Sequence, residues 1–218
     1  MTDSGSRGAP GGAHAPDPDV EAVLFDIGGV IAPFTGLSSL RRLTGGSELD
    51  AATQWLRSPI VRRFEAGAID EWEFASGVIE EWRFELTPAQ FLTQFADWLD
   101  DPYPGAEDLV RETAGRVRVG CLSNTNALQW RGRISHWPVS ALFTERLLSF
   151  ELGAVKPDRE IFDLAITRLA LPSRAVLLLD DNALNVAGAR AAGLRAEQAL
   201  GVDGARAALS RYGIVAPA

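Results

Sequence analysis

At 218 residues, 46% of them hydrophobic and 23% charged, the chain can bury a sizeable core as one large domain or two modest ones. Its formal net charge of −8 argues against nucleic acid as a partner, while a small anionic ligand remains compatible because a local site can differ in sign from the whole surface. A single cysteine, Cys121, excludes an internal disulfide and a cysteine-built zinc site, and two histidines, His14 and His136, cannot form a multi-histidine centre, so any metal must be held by carboxylates, which points to Mg2+.

Residues 1–18 are rich in Gly, Ala, Pro and Asp without an apolar block, and read as a disordered tail rather than a signal peptide or anchor. No apolar run approaches the roughly 20 residues needed to span a bilayer, so no membrane partner is expected and the cytoplasm is the expected location. Val23-Leu24-Phe25 runs straight into Asp26-Ile27-Gly28-Gly29. This predicts a buried parallel strand over Ala22–Ile27 that ends on a carboxylate, with a turn behind it open enough for a phosphate or metal to approach. From Pro33 to about Pro104 the apolar spacing becomes helical. Helices are expected around Leu37–Leu43 and Leu49–Phe64. Asp70-Glu71-Trp72-Glu73 reads as a capping box, with Asp70 as N-cap and Glu73 reaching back, and Trp72, Ala75, Val78, Ile79 and Trp82 then form one face. Thr87-Pro88-Ala89-Gln90 is a second box with Pro88 at the first helical position, followed by Phe91, Phe95, Trp98 and Leu99. These aromatic stripes read as helix–helix core; Phe64, Trp72, Trp82 and Trp130 are the side chains that could instead line a pocket.

Pro102 and Pro104 break the helical run. A short helix through Leu109 and Val110 leads to a strand over Val117–Leu122 that ends at Ser123-Asn124-Thr125-Asn126. A short strand at Leu147–Ser149, a loop over Glu151–Pro157 and a helix over Asp158–Ala170 follow. Ala175–Leu179 is a third strong strand, ending at Asp180-Asp181. A helix over Ala183–Ala192, a strand near Leu194–Ala199 and a helix over Val202–Tyr212 complete the order. This alternation predicts an α/β fold: a Rossmann-like parallel sheet with helices on both faces, plus an inserted all-helical cap domain. The expected division is a core from residues 19–33 and 104–218, with a cap over 34–103.

Ligands of such sheets bind beyond the carboxyl ends of the strands, where Asp26, Ser123 and Asp180-Asp181 all lie. Asp26 could be a nucleophile, a metal ligand or both, or could simply cap its turn. Asp180 and Asp181 are adjacent like charges that a cation would compensate, or the solvated start of a helix. Ser123 could bond a phosphate oxygen beside the Asn124 backbone N–H, though a Ser-Asn pair alone is a turn signal. Lys156 could offset charge in phosphoryl transfer, or be a surface lysine.

Taken in order, these residues resemble the haloacid dehalogenase (HAD) superfamily of aspartate-nucleophile phosphatases. The likeness rests on Phe25-Asp26-Ile27-Gly28-Gly29-Val30, Leu122-Ser123-Asn124-Thr125-Asn126, Leu152 to Asp158 around Lys156-Pro157, and Leu179-Asp180-Asp181-Asn182 through Asn185, Gly188, Ala189 and Gly193. Phe64-Glu65-Ala66-Gly67-Ala68-Ile69 with Phe74 is similar to the helical cap of a narrower group, the phosphatases akin to alpha-D-glucose-1-phosphate phosphatase. The resemblance implies that Asp26 is the nucleophile and a Mg2+ ligand, joined by the Gly28 carbonyl and Asp181, with Asp180 supporting the metal directly or through water. It implies that Ser123 and Lys156 bind the phosphoryl group, that Asn185 orients this shell, and that the cap closes over a small phosphorylated substrate; Asn124, beside Ser123, is a further candidate for substrate binding, and a monomer or homodimer is expected.

One position departs from the pattern. Most HAD phosphatases carry a second Asp two residues after the nucleophile as general acid and base, and here Gly28 stands there. General acid–base help is typically worth about 10²–10⁴-fold, a loss best tolerated with a good leaving group such as the C1 hydroxyl of a sugar. The expectation is therefore a Mg2+-dependent phosphatase acting on a small phosphorylated metabolite such as a sugar 1-phosphate, through an aspartyl-phosphate on Asp26. One alternative is a HAD-like binding protein left weak or inactive by Gly28. A second is a 2-haloacid dehalogenase, whose chemistry also uses an Asp nucleophile but needs no metal, so that a paired Asp180-Asp181 would serve little purpose.

Overall fold

The computed structural model describes residues 19–44 and 54–217. The tail assigned to residues 1–18, and the first residues of the helix expected over 49–64, lie outside them. Five parallel strands form one sheet in the order β3-β2-β1-β4-β5. They are β1 (Ala22–Phe25), β2 (Arg118–Ser123), β3 (Glu145–Leu148), β4 (Val176–Asp180) and β5 (Arg195–Gln198). Phe25 pairs with Cys121 on one side and Leu179 on the other, so β1 is central and its last residue lies level with its neighbours. Its four residues are all buried, as expected of a parallel strand covered on both faces.

Side chains alternate between the faces. Val23, Phe25, Cys121, Leu177 and Leu179 join one apolar core with helices α5 (Ala106–Ala114) and α10 (Gly201–Arg211). Leu24, Leu122, Val176 and Leu178 join the other with α8 (Arg159–Leu169) and α9 (Ala183–Ala191). Cys121 is fully buried, and burial pushes its thiol up to about 12, so it is inert at neutral pH.

The insertion contributes α1 (Gly36–Thr44), a helical turn at 54–57, α2 (Pro59–Glu65), α3 (Glu71–Trp82) and α4 (Pro88–Ala96). It has an aromatic cluster of its own, in which Phe64 and Phe74 stack at 4.0 Å and Trp55 meets Trp98 at 5.2 Å. Among the described residues, no helix is long and apolar enough to cross a membrane.

Several local expectations change. The helix expected over 49–64 is interrupted at Ser58, which caps α2 by accepting from the Val61 N–H while Pro59 opens the new helix. Asp70 caps α3 through the Trp72 and Glu73 amides, but the Glu73 carboxylate pairs with Arg63 at 2.9 Å instead of reaching back. The buried face of α3 is Phe74, Ala75, Val78 and Trp82; Trp72 is 54% exposed and Ile79 only partly buried. The Thr87–Gln90 capping box is present. Ser149–Leu152, read as strand end and loop, forms the one-turn helix α7. Helix α6 (Ala127–Gly132) was not anticipated, although Asn126 caps it by accepting from the Gln129 N–H at 3.0 Å.

Candidate active site

The site sits at the carboxyl ends of β1, β2 and β4. Asp26 is the first residue past β1; its N–H donates to the Leu179 carbonyl at 2.8 Å, and its Oδ1 accepts from the Ile27 N–H at 2.7 Å. The carboxylate is thus fixed from both sides while remaining on a cavity wall. Gly29 has φ +76°, and a Cβ there would lie 2.2 Å from Asp181 Oδ2, so only glycine lets the β1 turn approach the acid that follows β4.

Lys156 is fully buried rather than a surface lysine. Its ammonium donates to the Leu122 carbonyl at 2.8 Å and to Asp180 Oδ2 at 2.6 Å, and lies 3.1 Å from Asp26 Oδ1. Those contacts account for its three donors. Its backbone is clamped by Asn124, whose Oδ1 accepts from the Lys156 N–H and whose Nδ2 donates to the Lys156 carbonyl. Asp180 is completely buried: its Oδ1 accepts from the Asn182 N–H and from Asn185 Nδ2, and its Oδ2 takes the lysine. Asp180 therefore faces the lysine, whereas Asp26 and Asp181 face the cavity.

Oxygens of Asp26, Asp180 and Asp181 lie within 4.8 Å of one another. Three carboxylates against one ammonium leave excess negative charge in a buried place. Burial, opposed by Lys156 and reinforced by Asp180 and Asp181, pushes Asp26 up to about 7; burial and Asp180 push Asp181 up to about 6. Burial works against the Lys156 charge, but Asp180 and Asp26 outweigh it and hold the ammonium above its usual range. The donor set suits a divalent cation. Asn185 Oδ1, buried without a partner, is a further oxygen beside it.

These residues open on a cavity of about 170 Å3. Asp26, Gly28, Ser123 and Asp181 form its floor, and Trp55, Leu56, Glu65 and Phe95 of the insertion form its roof. None of the four side chains singled out from the sequence as pocket candidates lines it. Phe64 and Trp82 lie in the aromatic cluster of the insertion, Trp130 in the core beside the sheet, and Trp72 in solvent. Glu65, Trp55 and Gln129 were not anticipated on the cavity. A signal for Glu65 exists, because a carboxylate on the last residue of a helix opposes the macrodipole.

Several contacts seat the insertion on the sheet domain, among them an ion pair, a hydrogen bond and a close backbone approach. Arg62 pairs with Asp158 at 2.5 Å, and Gln129 Nε2 donates to the Phe95 carbonyl at 3.2 Å. Gly67, with φ +70°, lies so close to α7 that a Cβ there would sit 2.3 Å from the Phe150 carbonyl oxygen.

The family described as "Hydrolase: haloacid dehalogenase-like hydrolase" matches residues 20–193. Among curated proteins, Pyrimidine 5'-nucleotidase YjjG of Escherichia coli is 30% identical over 95 residues, which is 43% of this chain and 42% of that enzyme, so the chain matches less than half of its length. Phosphatase MT3486 of Mycobacterium tuberculosis is 28% identical over 194 residues, 81% of this chain and 86% of that protein. The crystal structure of the HAD family enzyme bt-2542 from Bacteroides thetaiotaomicron, in complex with magnesium and inorganic phosphate, has a TM-score of 0.66 at 21% identity and covers 83% of this chain and 94% of that one. L-2-haloacid dehalogenase from Xanthobacter autotrophicus has a TM-score of 0.63 at 19% identity, with 83% of this chain and 77% of that one covered. These structural likenesses are likenesses of fold.

Proposed function

The chain belongs to the haloacid dehalogenase-like hydrolases, and from that premise we propose that it is a Mg2+-dependent phosphatase of small phosphorylated metabolites, sugar 1-phosphates foremost, working through an aspartyl-phosphate on Asp26. The observation that carries this reading is the placement of Asp26: fixed at the end of the central strand, facing the cavity, and grouped with Asp180 and Asp181. A dehalogenase also uses an aspartate nucleophile but needs no metal, so it would have little use for Asp180 and Asp181 beside Asp26, and a family of hydrolases speaks against a scaffold that only binds.

In this reading Asp26, the Gly28 carbonyl and Asp181 would hold Mg2+, with Asp180 and Asn185 bracing them. The ion would supply neutralisation of the charge that gathers on the phosphoryl oxygens. The protein's own groups do the rest. Asp26 attacks phosphorus, and Lys156 holds its carboxylate at 3.1 Å in the orientation that attack needs. Ser123, buried on the cavity floor, donates its hydroxyl to a phosphoryl oxygen, and Asn124 keeps the Lys156 loop against that floor. The insertion, taken as a cap over residues 34–103, covers the site and excludes water. Gly28 offers no proton to the leaving oxygen, which favours a sugar C1 hydroxyl over an ordinary alcohol.

The test is phosphate release by the purified protein from a panel of sugar phosphates and nucleoside monophosphates. Release is expected to be fastest from sugar 1-phosphates, to stop in EDTA and to return with added Mg2+. Halide release from 2-haloacids that survives EDTA would overturn the reading. The seating of the cap gives a second expectation. Gly67→Ala places a methyl group against the Phe150 carbonyl and should lower kcat/KM by roughly 10–100-fold through displacement of the roof. Its cost in stability should exceed the roughly 1–2 kcal/mol of the left-handed backbone alone, because the contact with the Phe150 carbonyl must also give way. Steady-state kinetics beside thermal unfolding checks this; unaltered kinetics would mean that the contact does not position the roof.

A further inference from the structure

Phosphoryl transfer to Asp26 leaves a negative charge on the departing oxygen, and Gly28 provides no acid to neutralise it. Among the described residues the cavity carries three titratable side chains: Asp26, Asp181 and Glu65. The first two belong to the acid group beneath the cavity, and the hydroxyl and amide side chains around it do not give up protons at neutral pH. Glu65 is the remaining carboxyl, and it lies on the opposite wall.

We propose that Glu65 is the general acid and base of this site, supplied from the inserted helices in place of the residue absent at position 28. The inference rests on the phosphatase reading. In the first step an Asp26 oxygen bonds to phosphorus, and the bond from phosphorus to the leaving oxygen breaks with its electron pair on that oxygen. Glu65 gives that oxygen its proton, and a neutral alcohol departs. In the second step a water oxygen bonds to the same phosphorus and passes one proton to the Glu65 carboxylate. The phosphorus–oxygen bond to Asp26 breaks, so Asp26 and Glu65 both return to their starting forms and inorganic phosphate is released.

The surroundings of Glu65 suit this task. It ends helix α2, two residues before Gly67, at the point where the insertion is pressed against the Phe150 carbonyl, so its position over the floor is set by backbone packing. The side chain is partly buried and accepts a hydrogen bond from the Trp55 side chain, which aims the carboxyl without neutralising it. The nearest cations are otherwise engaged: Arg62 pairs with Asp158, and Lys156 with Asp26 and Asp180. Burial pushes the Glu65 carboxyl up to about 7 against the pull of Arg62, Lys156 and the Trp55 bond, so near neutral pH both the donor and the acceptor form are populated.

A donor on the roof relaxes the limit that Gly28 sets on the leaving group, and that is what the experiment reads. Wild type and Glu65→Gln are compared in saturating Mg2+ on p-nitrophenyl phosphate, whose leaving group needs no proton, and on glycerol 1-phosphate and a sugar 6-phosphate, whose leaving groups do. Gln keeps the shape and a carbonyl for Trp55. Read as kcat/KM, which reports only the step that expels the leaving group, the expected result is a value within about twofold of wild type on p-nitrophenyl phosphate and a loss of roughly 10²–10⁴-fold on the alkyl phosphates. Meanwhile kcat falls on both, because water attack on the aspartyl-phosphate still needs the base. Glu65→Asp, which retains an acid on a shorter arm, should recover part of the alkyl phosphate activity. An equal loss of kcat/KM on both substrate types would make Glu65 a binding or structural residue and overturn the inference, as would no loss of kcat/KM on either, while leaving the phosphatase reading intact. Absence of phosphate release by wild type from every substrate would instead overturn that reading, and Glu65's role with it.

Discussion

Asp26→Asn is expected to lower phosphate release by roughly 10⁴–10⁶-fold, the range seen when a nucleophile or its partner is removed from a covalent mechanism. The amide oxygen keeps the shape of the carboxylate and can still accept from Ile27, but it cannot attack phosphorus with a full negative charge. Folding should not suffer. Asp26 is one of three grouped carboxylates that share a single buried ammonium nearby, and burial pushes its own charge strongly toward the neutral form. Lys156 keeps Asp180 and the Leu122 carbonyl as partners. The unfolding temperature in EDTA should therefore stay level or rise while turnover disappears. Turnover that survives in the variant would remove Asp26 from the role of nucleophile; a fall in both quantities would mean that its main service is structural.

Lys156→Met should produce the largest loss of stability. The lysine side chain has no solvent exposure, and its removal strands Asp180, which has none either, beside a mostly buried Asp26. Breaking one side of a buried ion pair typically costs about 3–5 kcal/mol, because the remaining charge is left in a poor solvent. At roughly 2–4 °C per kcal/mol for a chain of this size, the melting temperature should fall by on the order of 10 °C. Lys156→Met combined with Asp180→Asn should recover much of that loss by removing the stranded charge, and added Mg2+ should recover part of it in the single variant. A single variant that melts within a degree or two of wild type would show that the buried ion group contributes little to the fold.

The strand ends were legible in the sequence because a buried parallel strand is a continuous apolar run, and a polar residue that stops such a run is conspicuous. Asp26, Ser123 and Asp180 were found that way, and the sheet carries each of them to the same edge. Which way Asp180 faces was not legible, since adjacent acids in a strand-to-helix turn look alike in sequence while one meets Lys156 and the other the cavity. Burial of Lys156 was hidden for a related reason: its partners come from β1, β2 and β4, far away along the chain. The roof was the least legible part. Periodicity tells which face of a helix is apolar, but it does not tell where one helix of a bundle sits against a sheet. At 100° per residue, a small error in phase also suffices to turn Trp72 outward and bring Phe74 in.

The position of β1 has a consequence for biosynthesis. As the chain leaves the ribosome, Val23-Leu24-Phe25 emerges before every other strand, yet its two neighbours are β2 and β4. The first of these follows only after the whole insertion, and the second comes later still. Throughout that interval the most hydrophobic strand of the sheet has both edges open, a state that invites pairing with another nascent chain. The insertion, with an aromatic cluster of largely local contacts, can collapse meanwhile; the sheet must wait for residues near its end. Translation thus makes the proposed nucleophile among the first residues of the fold and completes its surroundings among the last, so no amino-terminal fragment released early carries a working site.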